Sequence, residues 1–344
     1  MTPDKQNIYH SILFIALVAL LLALLLGGLM IGTTAIPLDE VWNALTGTSN
    51  NAGYETIICR MRLPKIIVAT LAGIALSASG LQMQTLFRNP LAGPYVLGIN
   101  SGASLGVALF TLATPMLSIA NTSWLTNIGL TGMAWIGSAA ILLVVMSLSR
   151  RIKNVSVILI IGMMLGSAIT ALVGILQYMG TDESLKAFIV WTMGSLSTVT
   201  IDSLKMLVPV VLVGTIIALA TVKPLNMLNI GENYARTMGL NVKLSRAMVF
   251  ISTTLLAGTI TAYCGPIGFI GLAMPHVARM TFRTANHRVL MPASMLWGAV
   301  AMLLCSLLSD LTARSGVMLP VNTITSLLGI PIIIFVVLRN RNRQ

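Results

Sequence analysis

Charge is what this chain has least of. Asp, Glu, Lys and Arg make up 9% of its 344 residues, and from position 89 to 149 there are 61 consecutive residues without one. A bilayer crossing takes roughly 20 apolar residues as a helix, so that stretch holds two crossings and a turn. With hydrophobic residues at 56%, no stretch remains for a sizeable soluble domain, and a two-domain soluble protein is excluded. Cysteine is scarce as well. Cys59, Cys264 and Cys305 have no C-x-x-C spacing, which gives neither a metal cluster nor a predictable disulfide, and they read as small apolar packers. There is no G-x-x-x-x-G-K-[ST] phosphate loop, so ATP cannot be bound and split by that route. Titratable groups are missing from the centres of the apolar blocks, where transporters coupled to protons or sodium keep them. Asp310 and Arg314 fall at one block end, His276 and Arg279 toward another, and His276 reads as a hydrogen-bonded interior histidine. If transport is active, its energy comes from another subunit.

The apolar blocks themselves are 6–38, 66–87, 154–181, 206–222, 247–278, 289–309 and 315–338, together with the long one. In lipid each must be helical to satisfy its own backbone, so the fold class is all-α, a polytopic membrane protein. The first block is too long for a secretory h-region and is followed by a poor cleavage site, so it counts as a true span. The net charge of +12 is dispersed as short flanks of apolar blocks, without the aromatic-interleaved patch of a nucleic-acid surface; no nucleic-acid partner is expected.

Those flanking charges orient the chain. Cations stay on the cytoplasmic side of short loops, and one parity satisfies nearly all of them. With the N-terminus inside, fifteen cations and two acids lie inside against six cations and seven acids outside, a net +13 against −1. The inner set includes Lys153 and Arg343; the outer set includes Arg60, Arg62, Lys65 and Arg314. This parity predicts ten spans near 11–35, 66–87, 94–113, 124–148, 156–179, 203–222, 246–263, 269–286, 290–309 and 319–338, with both termini cytoplasmic. Block 247–278 is split at Cys264-Gly265-Pro266-Ile267-Gly268. Residues 183–198, flanked by Asp182, Glu183 and Lys186, are too short to cross and read as a helix lying at the outer face. Five spans in each half would be an inverted repeat, echoed weakly by Thr70-Leu71-Ala72-Gly73 and Thr254-Leu255-Leu256-Ala257-Gly258. Residues 1–344 read as one transmembrane domain.

Small residues recur every fourth position at Ala69, Gly73, Ser77, at Gly98, Gly102, Gly106 and at Gly162, Gly166, Thr170, Gly174. Such stripes let helices approach closely in lipid; the alternative, a smooth wall for a large solute, makes Gly162, Gly166 and Thr170 candidates for a pathway. The longest inner loop, 223–246, reads as a short helix between Gly231 and Gly239, with Asn229 as its cap and Glu232 in its first turn.

Arg62-Leu63-Pro64-Lys65, Arg88-Asn89-Pro90-Leu91-Ala92, Leu97-Gly98-Ile99-Asn100-Ser101-Gly102-Ala103 and Gly265-Pro266-Ile267-Gly268-Phe269-Ile270-Gly271-Leu272-Ala273-Met274-Pro275-His276, followed by His287-Arg288, are specific in combination and order. They resemble the permeases of ATP-binding-cassette importers for iron-siderophores, haem and vitamin B12, and the resemblance covers nearly the whole chain. It implies a non-catalytic, translocating subunit in the bacterial cytoplasmic membrane that binds no cofactor itself. Its implied partners are a second permease copy or close homologue, two cytoplasmic ATPase subunits, an extracytoplasmic substrate-binding protein and membrane lipid. The loop helix is similar to the family's coupling helix, with Gly231, Glu232, Ala235, Arg236 and Gly239 as coupling residues. The resemblance makes Asn89 and Leu91 one cytoplasmic gate layer and Val155 and Ser156 the other; Val155 departs from the small hydroxylated residue frequent there. Arg62, Lys65 and Arg314 resemble the basic anchors for the binding protein, with headgroup anchoring of the span ends as the alternative. A loose resemblance of Gly93-Pro94-Tyr95-Val96-Leu97-Gly98 to the siderophore members implies an iron(III)-siderophore, over haem or cobalamin, as the bulky chelate carried. An ATP-independent channel or facilitator stands as the reading from another class.

Overall fold

The computed structural model describes residues 3–49, 51–113, 123–152, 154–314 and 316–341, and among them every regular element is helical. Lys153 and Arg343, counted among the inner cations, lie outside the described residues. In chain order the helices are α1 (Pro3–Met30), α2 (Leu38–Thr46), α3 (Ala52–Phe87), α4 (Ile99–Ala113), α5 (Ser123–Arg151), α6 (Val155–Met179) and α7 (Asp182–Thr192). They continue with α8 (Ile201–Ala220), α9 (Val222–Ile230), α10 (Glu232–Thr237), α11 (Val242–Cys264), α12 (Ile270–Phe282), α13 (His287–Ala313) and α14 (Val321–Arg341).

Each of the ten expected spans has a helix at its position. Seven of these (α1, α3, α5, α6, α8, α11 and α13) are long and apolar enough to cross a membrane by length and composition. Two are shorter apolar helices, at Ile99–Ala113 and Val321–Val336. The tenth, α12, has 13 residues and so reaches only about 20 Å. Segment 183–198 contains the short helix α7.

Two of the boundaries that differ from expectation do so for local reasons. Helix α3 begins at Ala52, not near 66, because Asn51 caps it by accepting from the backbone of Gly53 and Tyr54, and because Arg62 finds acceptors inside the chain. Helix α4 begins at Ile99, not 94, because the chain turns through Pro94 and then Gly98, whose φ of +78° a residue with a side chain rarely adopts. Among the described residues, wider π turns occur within α3 at Thr56–Arg62, at the end of α4 at Leu109–Ala113 and within α11 at Thr254–Gly258. The last covers the echo of residues 70–73, which are regular α-helix, so the two similar strings fold differently.

Packing divides the chain into two compact units, which do not coincide with its five-span halves. One unit comprises residues 1–78, 195–208 and 268–344. In it α3 and α13 meet backbone on backbone: a Cβ on Gly73 would overlap the Gly298 carbonyl, and one on Gly298 would overlap that of Gly73. Helix α1 leans on the same pair through Gly28, whose absent side chain leaves room for Ile66. Phe269, just before α12, sits at φ +65° and ψ −33° in a γ-turn closed by the Ile270 N–H donating to the Gly268 carbonyl at 2.8 Å. Gly268 N–H in turn donates to Asn322 Oδ1 at 2.9 Å, and Gly329 leaves space for the phenyl group.

The other unit comprises 79–194 and 209–267. Gly102 and Gly106 of α4 lie against Gly137 and Met133 of α5, again with no room for a Cβ. Gly162 and Gly166 of α6 close on Leu97, Gly98 and Ser101. In lipid, where apolar burial drives little association, such close van der Waals contact holds helices together.

Candidate gate and coupling site

Helix α3 ends in a turn built by its own last residues. Arg88 takes φ +48°, its N–H donates to Thr85, and the Asn89 N–H reaches the Gln84 carbonyl at 3.1 Å. Asn89 Oδ1 accepts from the Leu91 N–H at 2.9 Å, so this side chain fastens the turn, while Leu91 projects outward, half exposed. Asn154 caps α6 by accepting from the Ser156 N–H at 2.9 Å, which sets Val155 and Ser156 in its first turn.

The arm formed by α9 and α10 closes over this region. Arg88 Nη2 donates to the Leu228 carbonyl near the end of α9 at 2.9 Å. Asn229, expected as a cap, is a residue of α9; the residue ahead of α10 is Gly231, with no side-chain bond. Gly239, at φ +83°, ends α10, and the Leu240 N–H returns to the Ala235 carbonyl at 3.0 Å. Glu232 accepts from Arg236 at 2.6 Å on its own helix and from Arg246 of α11 at 2.7 Å. Partial burial pushes the Glu232 pKa up, but the hydrogen bonds and charges of the two arginines outweigh it and hold the carboxyl below its ordinary range. Arg246 is buried and also donates to the Ile152 carbonyl at 3.4 Å. Sequence reasoning missed this pair; its only trace was an acid and a base flanking one loop.

Arg88, Val155, Ser156, Glu232, Arg236 and Arg246 line a single open cleft of about 940 Å³. One expected gate layer and three of the expected coupling residues, Gly231, Glu232 and Arg236, are thus brought together there, whereas Asn89 and Leu91 are not part of its lining. Ala235 is fully buried within the chain, so its side chain is unavailable to a partner. The outward surface is formed by Ile230, Tyr234 and Met238, exposed at 67%, 55% and 51% on a polar loop. Gly162 and Gly166 face α4, while Thr170 is exposed with its hydroxyl turned back to the Gly166 carbonyl.

The three basic residues Arg62, Lys65 and Arg314 also converge, in the unit of α1, α3 and α13. Arg62 is buried and donates to the carbonyls of Leu29 and Thr34. Lys65 is buried in an ion pair with Asp310. Arg314 Nε donates to the Gly32 carbonyl at 2.7 Å, and the rest of that residue is exposed. Two of the three therefore commit their charge inside the chain.

The whole sequence has known relatives. The FecCD transport family matches residues 19–339. The chain belongs to that family. It is 35% identical over 329 residues to the hemin transport system permease protein of Yersinia pestis, covering 95% of this chain and 96% of that one. It is also 35% identical over 328 residues to the vitamin B12 import system permease protein of Klebsiella pneumoniae, at 95% and 93% coverage. Among solved structures, an inward-facing metal-chelate type ABC transporter matches with a TM-score of 0.81 at 30% identity, covering 96% of this chain and 99% of that one. This FecCD-family chain is therefore a multi-pass membrane permease, and its relatives are translocating rather than catalytic subunits.

Proposed function

We propose that this chain is the membrane-spanning subunit of an ATP-driven importer for a bulky metal chelate, working as a pair with a second permease and with two ATPase subunits on its α10 face. The observation that carries the reading is α10 itself: a short helix clamped to α11 by Glu232, bordering the Val155–Ser156 cleft, with Ile230, Tyr234 and Met238 uncovered. Apolar side chains left exposed on a polar loop outside the membrane mark a docking surface. A channel or facilitator has no need of such a rigid outward lever. This assigns the α10 end and both termini to the cytoplasm, in agreement with the distribution of cations, and assigns Arg314 to the extracytoplasmic face as the exposed contact for a binding protein.

The absence of titratable groups from the span centres fits a solute that binds chiefly to the partner protein. The siderophore reading rests on the loose family resemblance of residues 93–98, and the hemin and vitamin B12 relatives favour the haem or cobalamin alternatives. Uptake into proteoliposomes by the complete complex, offered each of the three chelate classes in turn, tests the reading. ATP-dependent accumulation of one class is expected; ATP-independent equilibration of any of them overturns it.

A further inference from the structure

Gln82 lies on α3 upstream of Arg88 and is fully buried. A primary amide removed from water is costly unless both its ends are matched. Here they are. Its Nε2 donates to Thr221 Oγ1 at 3.0 Å, and its Oε1 faces the hydroxyls of Ser252 at 3.2 Å and Thr253 at 3.5 Å on α11. Thr221 is the joint between α8 and α9, and it gives its own proton to the Ala218 carbonyl at 2.6 Å. Ser252 also lies 3.0 Å from the Gly214 carbonyl of α8. With one hydroxyl proton it serves Gly214 or Gln82, not both at once. Gly214 permits that approach, since a Cβ there would press on Leu256 at 2.9 Å.

A buried polar network of this kind usually does no more than specify packing. Its position gives it a further consequence. Helix α3 grips the arm at two points, through Gln82 at Thr221 where α9 begins and through Arg88 at Leu228 where α9 ends. The arm cannot tilt against α3 without breaking one of them. On the α11 side the contact falls at Ser252 and Thr253, immediately before the π turn Thr254–Gly258, a kind of local irregularity frequent where helices do functional work.

We propose that Gln82 is a positioning residue for transport: a latch that fixes the α9–α10 arm to α3 and α11, so that motion of α10 reaches the membrane helices instead of being absorbed at the Thr221 joint. The coupling part of this inference rests on the importer reading above.

The test compares Gln82→Leu and Thr221→Val with Thr221→Ser, which keeps the acceptor oxygen. In Gln82→Leu the hydroxyls left behind can turn to carbonyls of their own helices, and Thr221→Val leaves one amide N–H of Gln82 unmatched, at the cost of a single unmade hydrogen bond, so the variants are expected to insert and assemble. The first measurement is chelate imported per ATP hydrolysed by the reconstituted complex. That ratio is expected to fall about tenfold in Gln82→Leu and Thr221→Val, the loss of about 1.4 kcal/mol of coupling, and to return within about twofold of wild type in Thr221→Ser. Mere destabilisation lowers import and hydrolysis together and leaves the ratio alone. The second measurement needs no ATPase: nitroxides at Lys223→Cys and Lys243→Cys, in a Cys59→Ser chain, report the spread of distances between α9 and α11. Broadening in Gln82→Leu and Thr221→Val, with a narrow distribution in Thr221→Ser, supports the latch. An unchanged ratio overturns its role in coupling, and an unchanged spread overturns the latch itself. If the wild-type complex shows no ATP-dependent import, the importer reading fails, while the distances still decide whether Gln82 holds the arm. Should Gln82→Leu not insert, the Thr221 pair decides both questions.

Discussion

Arg62 and Arg314 give their N–H groups to the carbonyls of Leu29, Thr34 and Gly32, whereas Arg236 and Arg246 converge on one carboxylate, Glu232. The first arrangement spreads two cations over several neutral acceptors, ties the segment after α1 to α3 and α13, and has no single indispensable member. The second makes one side chain the keystone of the loop. A load shared among backbone carbonyls resists any one substitution. A keystone permits a small, stiff element to stand away from the bilayer with an apolar surface outward, at the risk that one change releases it.

The largest effect should follow removal of the keystone. Glu232→Gln leaves the buried Arg246 guanidinium without its counter-charge, and breaking one side of such a pair costs about 3 kcal/mol. Limited proteolysis should then cut between Val222 and Val242, and the ATPase activity of the reconstituted complex should lose its response to substrate. In the contrasting cluster Arg62→Met deprives two backbone carbonyls of neutral-acceptor bonds and should cost about 1–2 kcal/mol, with the loop intact. Equal loop protection in the two variants would erase the distinction between the clusters. Acid sharpens it. Because the Glu232 pKa is lowered in the folded chain, its stabilisation is complete above the ordinary carboxylate range and is lost as pH falls through the lowered value. Loop protection should therefore be flat around neutrality and fall in the acid range, and Glu232→Gln should lack that dependence.

A second, intermediate effect separates the inner face of α10 from its outer face. Ala235 is fully buried, so Ala235→Asp places a carboxylate against the chain's own packing, and the yield of folded permease should drop before coupling can be measured. Tyr234→Ala removes an exposed ring and should leave expression and thermal stability within about 0.5 kcal/mol of wild type. It should instead weaken capture of the purified ATPase subunit by at least about fivefold, roughly 1 kcal/mol of a well-packed interface contact. Undiminished capture by Tyr234→Ala would mean that the exposed face of α10 is not where the ATPase sits.

The spans were legible because lipid imposes one rule on every segment: the backbone must be satisfied within it. Block length and the side preference of cations then placed a helix at all ten positions. The boundaries were less legible, because helix α3 continues past its apolar block on the strength of the Asn51 cap and of carbonyls far away in sequence that receive Arg62. The glycine stripe at 162 and 166 announced close packing and is used for it, against Leu97, Gly98 and Ser101. In the site, Gly239 was readable as a terminator, since an αL position is a local property. Burial of Ala235, the Glu232–Arg246 pair and the Gln82 network were not readable, because each depends on which helices meet. A lone glutamine in an apolar run carries no sign of the threonine or serine it will find on other helices.

The smallest expected effect is at Arg314, the one member of the distributed cluster that remains exposed. Arg62→Glu and Lys65→Glu would bury a carboxylate where a cation is held, so they cannot isolate a docking role from misfolding. Arg314→Glu gives up one bond to the Gly32 carbonyl and otherwise changes only the sign of a surface charge. Thermal stability should shift by less than about 1 kcal/mol. Charges at the rim of an interface act mainly on encounter rate and salt dependence. Association of the binding protein should therefore slow by about tenfold at low salt and converge on the wild-type rate as ionic strength rises and screening shortens its reach. Basal ATPase activity of the assembled complex should be unchanged. A variant that associates at the wild-type rate at low salt would leave Arg314, like Arg62 and Lys65, as a fastening for its own chain alone.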